Sequence, residues 1–398
     1  MRTPSVNEAR ICESLSIGGS MDRKLRLTGF IALALVASTM ATTAEAAGRT
    51  VSCTYAAVTT ALSDAAPGST VKVHSGTINL TSEQTITITK GVTLLADRKV
   101  TLSKAAGTVN QPIISVDLTS PAKVTIEGFT LRNSGVTTTS ATGSDSAAVG
   151  INIVGDGVSE LDPSIIRGNS FTGFTDAAIV LSTSGGPQEH WLIDNNTFTN
   201  VFYGLFLNGA NDLLILNNEF VSYLAAVANT DDTSPITLLR VTFNSFLGGM
   251  PTMSGVGNDH GTGTAGTRAL NLHMNAVSLG ADLNWKINKN LFNQHTGMAL
   301  RFKAAAEGAN ESTSAVYIQM NSFTDNAADV VNEASTEVVL RLNWWGTVCG
   351  PTGTSLVGQE TDDLWLVTYS ARSRRSDHGF RLGEFSSSEP GMTSSACD

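Results

Sequence analysis

The sequence predicts an all-β chain folded as a single-stranded right-handed parallel β-helix, a solenoid of roughly a dozen coils with an N-terminal capping helix. Three observations predict it. Hydrophobic residues make up 41% of the 398 residues and charged residues only 15%, so many apolar rows must be buried behind neutral polar turns. A short motif, Asn-x-aromatic, recurs along the chain. Apolar stretches with a period of two residues flank its copies, which favours strands over helices.

The Asn-x-aromatic motif defines the repeat. The steps between successive asparagines are 27, 22, 26, 46, 31 and 22 residues. We interpret the step of 46 as two steps of 23, with one degenerate copy inside Arg268–Asn275. Units of twenty-odd residues with two or three short strands are typical of parallel β-helix coils. The copies begin at Asn169, Asn196, Asn218, Asn244, Asn290, Asn321 and Asn343.

Each part of the motif has a structural role. Asparagine tolerates the left-handed backbone conformation that a sharp bend between strands demands. Stacked on successive coils, these asparagines are also expected to hydrogen-bond as a ladder, so we assign them no catalysis. The aromatic residue two positions later is expected to point inward and to stack on its equivalents in the coils above and below.

The N-terminal segment fits the same rod. A helix is predicted over 54–66, because its apolar residues lie on one face and Pro67-Gly68 stops it. Strands are predicted at Val71–Val73, Ile86–Ile88 and Val92–Leu95. A parallel rod must cover the open end of its core, and one amphipathic helix does this.

Residues 21–46 are predicted to be a secretory signal peptide. They combine a short basic start, an apolar run from Leu27 to Val36, and the small-residue exit Ala44-Glu45-Ala46, which is the pattern of such peptides. Residues 1–20 do not fit it and are interpreted as a misassigned start, with Met21 as the true one. We therefore expect a secreted, extracellular or cell-surface protein.

The β-helix domain is assigned to residues 47–370, and the polar, Ser-rich residues 371–398 are predicted to be a loose tail. We expect the chain to be a shortened form of a larger surface protein. Export permits disulfides. Cys53 and Cys349 lie near opposite ends of the predicted rod, so Cys349 with Cys397 is the plausible pair and Cys53 stays free.

Composition and motifs exclude several classes of function. The formal net charge of −10 excludes the basic footprint of a nucleic-acid-binding protein. No other apolar run approaches the length of a membrane span, so the mature chain is expected to have none. Zinc-ligand spacing, a phosphate loop and a nucleotide fingerprint are missing from the sequence. We expect a monomer without metal or cofactor, whose partner is a polysaccharide or a cell-surface glycan.

Four segments resemble secreted right-handed parallel β-helix repeat proteins, the pectate-lyase-like superfamily. Ala66–Leu80 and Ile86–Asp97 are similar to the opening of these proteins, and Ile193–Asn200 and Ile215–Ser222 to their generic repeats. The resemblance covers about residues 50–370. The superfamily holds lyases, hydrolases, epimerases and noncatalytic adhesion modules, so it implies an architecture rather than a function.

The C-terminal end of the repeat region carries a further resemblance. Leu342-Asn343-Trp344-Trp345-Gly346, followed by Gly350-Pro351, is similar to a motif that often ends such domains in bacterial surface proteins. This resemblance implies a protein of the bacterial cell-surface type.

Candidate site residues fall in one stripe. The inside of such a rod is packed, so function must lie on an outer face or in a loop. Counted from the asparagine of each unit, eight polar residues share nearly the same phase and are expected to line one edge. The catalytic candidates are Asp231, Asp232, Asp259 and His260, and the substrate-binding candidates are Asp212, Arg301, Lys303 and Glu333.

Two functions suit this stripe. The first is a noncatalytic module that binds glycans or acts as a surface spacer, supported by the many generic coils, the low charge and the lack of an intact active-site motif. The second is a lyase or glycoside hydrolase acting on an acidic polysaccharide such as pectin. Carboxylates on alternate coils would lie about 9–10 Å apart, near the separation in inverting hydrolases. Arg301 and Lys303 would bind a uronate carboxylate.

A partial motif match in the sequence supports the enzyme hypothesis. Asn229-Thr230-Asp231-Asp232, Asp259-His260-Gly261 and Arg301-Phe302-Lys303 resemble, in that order, the motifs of polygalacturonase-type hydrolases. However, the Asp-Asp pair overlaps the first motif, and Asp259 replaces the glycine that precedes the histidine. The same aspartates also suit ordinary turns.

Overall fold

The computed structural model describes residues 48–104, 111–133, 149–182, 188–229, 235–249, 266–276, 283–305, 310–311, 316–346, 356–357, 373–376 and 379–382. The predicted start region, the signal peptide and the predicted Cys349–Cys397 pair lie outside these ranges. Cys53 is a free thiol, and partial burial raises its pKa.

Strands dominate the described chain, and one helix, α1 (Tyr55–Asp64), accompanies them. The strands are β1 (Arg49–Val51), β2 (Thr70–Leu80), β3 (Ile86–Ile88), β4 (Thr93–Lys104), β5 (Ile114–Asp117), β6 (Thr125–Asn133), β7 (Ile151–Val154), β8 (Ser164–Arg167), β9 (Ser170–Thr172), β10 (Ala177–Leu181), β11 (Gln188–Asp194), β12 (Thr197–Leu207), β13 (Ala210–Leu216), β14 (Glu219–Asn229), β15 (Ile236–Thr237), β16 (Arg240–Thr242), β17 (Ser245–Leu247), β18 (Arg268–His273), β19 (Asn275–Ala276), β20 (Lys286–Asn288), β21 (Leu291–Asn293), β22 (Met298–Lys303), β23 (Asn310–Glu311), β24 (Val316–Gln319), β25 (Ser322–Thr324), β26 (Ala328–Asn332), β27 (Val338–Arg341), β28 (Leu356–Val357), β29 (Ser373–Ser376) and β30 (Gly379–Leu382).

The strands form three parallel faces of a solenoid. Sheet 1 carries the Asn-x-aromatic motif and comprises the C-terminal halves of β2, β4 and β6, then β9, the N-terminal halves of β12 and β14, β17, β21 and β25. Sheet 2 follows it in each coil and comprises β3, β5, β7, β10, the C-terminal halves of β12 and β14, β18, β22, β26 and β28.

Sheet 3 completes each coil. It comprises β1, the N-terminal halves of β2, β4 and β6, then β8, β11, β13, β15 with β16, β20, β24 and β27. Consecutive turns of one chain therefore pair in parallel, and the fold is a parallel β-helix, as predicted. Two short antiparallel pairs lie outside the three sheets: β19 with β23, and β29 with β30 in the segment predicted to be a loose tail.

Helix α1 packs on the first strands of the rod. The Thr54 side chain caps its start by accepting a hydrogen bond from Ala57 N at 3.3 Å. Val58, Ala61 and Leu62 are buried and join the interior core beside β1, β2 and β3. The helix thus shields the N-terminal end of the core, as the sequence predicts.

The aromatic residues of the motif form one internal column. All six phenylalanine rings are completely buried. Adjacent rings stack with centroid separations of 4.5–5.0 Å, and Trp345 continues the column on Phe323 at 4.8 Å. The column consists of Phe171, Phe198, Phe220, Phe246, Phe292, Phe323 and Trp345. The predicted inward stacking is confirmed.

The asparagines of the motif form a buried hydrogen-bonded ladder. In the first six of the seven asparagines, the backbone N–H and the side-chain Nδ2 both donate to the Oδ1 of the asparagine in the next coil, at 2.8–3.1 Å. Each Nδ2 also donates to a carbonyl in the preceding coil, as Asn218 does to Ile193 O at 2.8 Å. The carboxamides are therefore satisfied although they are buried, which is what a polar group in a core requires.

The left-handed bend, however, is not at the ladder asparagine but one residue before it. The preceding residues have φ between 53° and 63°. The prediction that the asparagine itself takes this conformation is wrong, because its carboxamide must point inward from the regular strand start. The bend residues are Gly168, Asn195, Asn217, Phe243, Lys289, Met320 and Leu342. Most of these residues carry a Cβ, which makes the left-handed backbone conformation cost about 1 kcal/mol or more at each bend. The hydrogen bonds of the ladder offset this cost.

The 46-residue step is one coil and not two. Asn244 bonds directly to Asn290, and Phe246 stacks directly on Phe292. The predicted degenerate copy within Arg268–Asn275 is in fact β18, the sheet 2 strand of this same coil. The prediction was wrong because it took the chain length between motifs as a measure of rise along the rod, whereas a coil of this fold can contain many more residues than its neighbours.

A buried histidine is held neutral inside the rod. His295 Nδ1 donates to Asn326 Oδ1 at 2.8 Å, and Nε2 therefore accepts from the Tyr223 hydroxyl at 2.7 Å. Burial, partly opposed by the Asn326 hydrogen bond, lowers the pKa of His295 to about 4.

We expect His295 to make stability pH-dependent. In the unfolded chain it takes up a proton near pH 6.5, and in the folded chain only near pH 4. Its contribution, about 3 kcal/mol in full, is therefore present above pH 6.5 and lost as the pH falls toward 4. The free energy of unfolding in urea at pH 7.5 and 4.5 measures this loss, and His295→Gln should reduce it. An equal loss in both proteins would contradict the prediction.

The ladder generates a second prediction. Asn218→Ala should lower the free energy of unfolding by about 2–4 kcal/mol, because it leaves buried partners on both neighbouring coils unsatisfied. Asn217→Gly is the matched control: it keeps the left-handed bend and loses one partly exposed bond to Asp194, so its effect should stay within about 1 kcal/mol. Equal losses would show that the ladder has no special role.

Candidate functional site

The outer surface of sheet 2 brings three of the predicted site residues together. Arg301 and Lys303 lie on β22, and Glu333 directly follows β26, the neighbouring strand. The Arg301 guanidinium binds the Glu333 carboxylate through two parallel hydrogen bonds, Nε to Oε1 at 3.0 Å and Nη2 to Oε2 at 2.9 Å. The Glu333 side chain is 41% exposed, so this ion pair contributes little to stability.

Lys303 contacts a histidine that the stripe did not include. Its Nζ donates to His273 Nε2 at 3.0 Å, while His273 Nδ1 donates to Ala304 O at 2.9 Å. These two contacts are compatible with the tautomer in which Nδ1 carries the hydrogen and Nε2 accepts. Asn229 holds the His273 backbone by bonding both its N–H and its C=O. A lysine ammonium is thus oriented at the outer edge of sheet 2.

Two more polar residues of β18 lie on the same surface and were missed. Asn271 is the cross-strand neighbour of Arg301, and Arg268 is the neighbour of Ala225. Arg268 is only 6% exposed. Burial lowers the pKa of its guanidinium, as does repulsion from Arg301, whereas Tyr203 and Glu333 act in the opposite direction.

These side chains form what we call the charged patch. It combines three cations with one carboxylate, in a chain whose formal net charge is −10. The patch spans three successive coils, because β18, β22 and β26 are adjacent strands of sheet 2. It consists of Arg268, Asn271, His273, Arg301, Lys303 and Glu333.

An apolar surface adjoins the charged patch. A hydrophobic cluster separate from the interior core covers the outer side of sheet 2 in the preceding coils. Tyr203 and Phe206 are tilted against each other at 4.9 Å, and Phe206 remains partly exposed. This outer cluster consists of Ala177, Val180, Phe202, Tyr203, Ala225 and Ala228, with Val149, Phe206 and Leu224 at its margin.

Asp212 does not join the patch. It lies at a left-handed bend on sheet 3, with φ of 54°, and is 5% exposed. His190 Nδ1 donates to its carboxylate at 2.7 Å, and Arg240 forms an ion pair with the same group. Arg240 also binds Glu160 at 2.9 Å. Protein groups thus occupy this carboxylate, and the expectation that Asp212 lines the same edge as Arg301 is wrong.

The four catalytic candidates, Asp231, Asp232, Asp259 and His260, lie outside the described residues and remain predictions. Within the described ranges, no three or more His, Cys, Asp or Glu side chains are grouped as a metal site would require. In the same ranges no helix has the length and apolar character needed to cross a membrane.

The two acidic sites differ in burial, and this gives a stability prediction. Asp212→Asn should cost about 1–3 kcal/mol, because it weakens charged hydrogen bonds to His190 and Arg240 at a buried position. Glu333→Gln is the matched control and should cost less than about 1 kcal/mol, since its ion pair is exposed. Thermal unfolding of both variants checks this. A larger loss in Glu333→Gln would reverse our assignment of the two carboxylates.

Comparison with known proteins gives weak similarities in structure alone. No protein-family model matches the sequence, and no curated protein matches it. Solved structures similar to the chain include an alginate lyase from Paenibacillus sp. str. FPU-7, with a TM-score of 0.46 and 14% identity over 79% of this chain and 99% of that one. They also include ORF18 of Geobacillus virus E2, with a TM-score of 0.40 and 10% identity over 83% and 63% of the two chains. The catalytic domain of a GH87 α-1,3-glucanase in complex with nigerose has a TM-score of 0.34 and 13% identity over 73% and 63%. All three TM-scores are below 0.5.

Proposed function

We propose that the protein is a secreted or cell-surface β-helix module that binds a polysaccharide or cell-surface glycan on the outer surface of sheet 2. The observation that carries the proposal is the charged patch lying directly beside the outer cluster. Sugar rings present both apolar C–H faces and hydroxyl groups. A surface that combines partly exposed aromatic rings with a few converging polar groups suits such a ligand.

The spacing of the coils supports a polymeric ligand. Equivalent positions on neighbouring strands lie about 4.8 Å apart along the rod. Ala228, Asn271, Arg301 and Val331 occupy one such row on the outer side of sheet 2. A linear glycan aligned with the rod therefore meets side chains at a regular interval, held on strands rather than on loops. Binding sites on rigid elements keep their geometry.

The extracellular location rests on the sequence. The signal-peptide pattern in residues 21–46 motivates it. In this proposal the mature protein acts as a monomer, without cofactor, as a binding or spacer module. Processing after Ala46 is checked by sequencing the N-terminus of the exported protein.

The carboxylates of the patch support the choice of a noncatalytic module as the first candidate. Inverting hydrolysis needs two carboxyl groups about 6.5–9.5 Å apart. Glu333 supplies one carboxylate, and it is engaged in the bidentate pair with Arg301. Asp212 lies on another sheet. Among the described residues, the patch therefore holds no second carboxylate to complete such a pair.

One observation favours an enzyme as the second candidate. Arg301 and Lys303 project from the same strand, and Lys303 contacts His273. A polysaccharide lyase needs a cation on the uronate carboxylate and a base for the neighbouring C–H proton. A lyase or glycoside hydrolase that uses Asp231, Asp232, Asp259 or His260 stays within this second candidate.

Binding assays test the proposed function. We expect the purified chain to be retarded in affinity electrophoresis by at least one of pectin, polygalacturonate, alginate, chondroitin or a neutral glucan. The double variant Asn271→Ala/Arg301→Ala should weaken that binding about tenfold or more, since each side chain supplies hydrogen bonds to the ligand. Arg341→Ala, an exposed arginine on sheet 3, is the matched control and should bind like the wild type.

Retardation by no polymer would refute the proposed function, and an equal loss in Arg341→Ala would refute its placement on sheet 2. The same mixtures, assayed for unsaturated ultraviolet-absorbing product and for reducing ends, test the second candidate. Turnover that disappears in Asp259→Asn or His260→Ala would assign catalysis to these residues. Turnover retained in both would exclude them.

A further inference from the structure

Arg268 is a buried cation with no hydrogen-bonded or ion-paired partner among the residues that the structure describes. It is 6% exposed, and its Nε atom is fully buried and makes no hydrogen bond to any of those residues. Among the described residues, its side chain forms neither a hydrogen bond nor an ion pair. Burying a charge in this way costs several kcal/mol unless another group compensates it. Most buried arginines are paired, so this one calls for an explanation.

The position of Arg268 on β18 places its side chain on the outer surface of sheet 2. Its cross-strand neighbour is Ala225, which in turn pairs with Tyr203, and both belong to the outer cluster. On the other side β18 pairs with β22, which carries Arg301. Arg268 therefore stands at the boundary between the outer cluster and the charged patch.

The charges around Arg268 favour the binding of an anion at this position. Arg301 carries the same sign of charge and disfavours the charged form of Arg268. Glu333, the nearby carboxylate, favours the charged form, but both of its oxygens already accept hydrogen bonds from Arg301. Beside this region, Asn271 Oδ1 is also buried without a partner among the described residues. The patch thus holds two buried polar atoms, Arg268 Nε and Asn271 Oδ1, that no described residue satisfies.

We propose that Arg268 is an anion-binding residue of the glycan surface, and that it takes the carboxylate of a uronic-acid residue. The inference rests on the proposed function and names its ligand class. A guanidinium donates two parallel hydrogen bonds to a planar carboxylate, which gives both affinity and orientation. The ring of the same sugar would lie toward the outer cluster, and one of its hydroxyl groups would donate to Asn271 Oδ1.

The first test needs no variant. Binding of the wild-type chain is measured by affinity electrophoresis on polygalacturonate, on fully methyl-esterified polygalacturonate, on a sulfated galactan and on its unsulfated form. We expect methyl esterification to weaken binding at least tenfold, and the sulfated polymer to bind more weakly than polygalacturonate. Equal binding to the esterified polymer, or tighter binding to the sulfated one, would overturn the carboxylate assignment and leave glycan binding standing. Binding to none of these polymers would refute both.

The second test separates recognition from a structural role. Arg268→Gln should reduce affinity for polygalacturonate about 10–100-fold, as expected for losing hydrogen bonds between charged groups. Its melting temperature should be equal to or above that of the wild type, because it removes an uncompensated buried charge. Arg268→Lys keeps the charge without the planar fork and should recover only part of the affinity. Unchanged affinity in Arg268→Gln, or a loss of stability large enough to explain the lost binding, would overturn the proposal.

Discussion

A buried carboxamide has two donors and an acceptor to satisfy, and the asparagine ladder satisfies them only if each coil sits in register with the next. A slip of one residue would leave a column of amides in the core without partners, each at a cost of about 1–3 kcal/mol. The phenylalanine column lies two residues further along the same strands, so its stacking follows from the same register. The ladder thus fixes the register of the strands in sheet 1. The strands of sheets 2 and 3 belong to the same coils, so their register follows from it.

This alignment explains how a surface site is built from segments far apart in the chain. The charged patch takes residues from β18, β22 and β26, which share no common sequence beyond an inward apolar alternation. Because the interior rows are fixed, outward side chains at equivalent positions become vertical neighbours, such as Asn271 and Arg301. Loops of different length between the sheets leave these rows undisturbed. The rod therefore supplies a rigid lattice on which a few outward substitutions can create a binding surface.

The sequence predicts the fold well because its signal is periodic and interior. Asn-x-Phe marks the one point in each coil where a polar and an aromatic residue are both buried, and it correctly indicates the parallel β-helix. Two inferences failed where chain length replaced geometry. The coil between Asn244 and Asn290 was counted twice, and Asp212 was placed in phase with Arg301 although they lie on different sheets. Offsets from the motif fail once a loop of variable length intervenes.

The same limitation hid Arg268. A long insertion separates it from Asn244, so no fixed offset points to it. Its strand can nevertheless be recognised, because Arg268–Leu272 repeats the small-apolar pattern of Ala177–Leu181 and Tyr203–Leu207 in the coils below. Aligning these segments by their inward residues places Arg268 in the same outward row as Ala177 and Tyr203 of the outer cluster. What the sequence cannot supply is the missing partner, since unsatisfied hydrogen bonds are a property of three-dimensional packing.

The asparagine ladder also has a direction. From Asn169 to Asn321, every asparagine donates to the carboxamide of the following coil. All six links are therefore alike, and any coil can replace another as a neighbour. Removing or duplicating one whole unit between two bend residues would leave the remaining links chemically unchanged. A rod built in this way can gain or lose whole coils during evolution while its interior contacts stay the same. Selection can therefore adjust the length of the rod separately from the side chains on its outer surface.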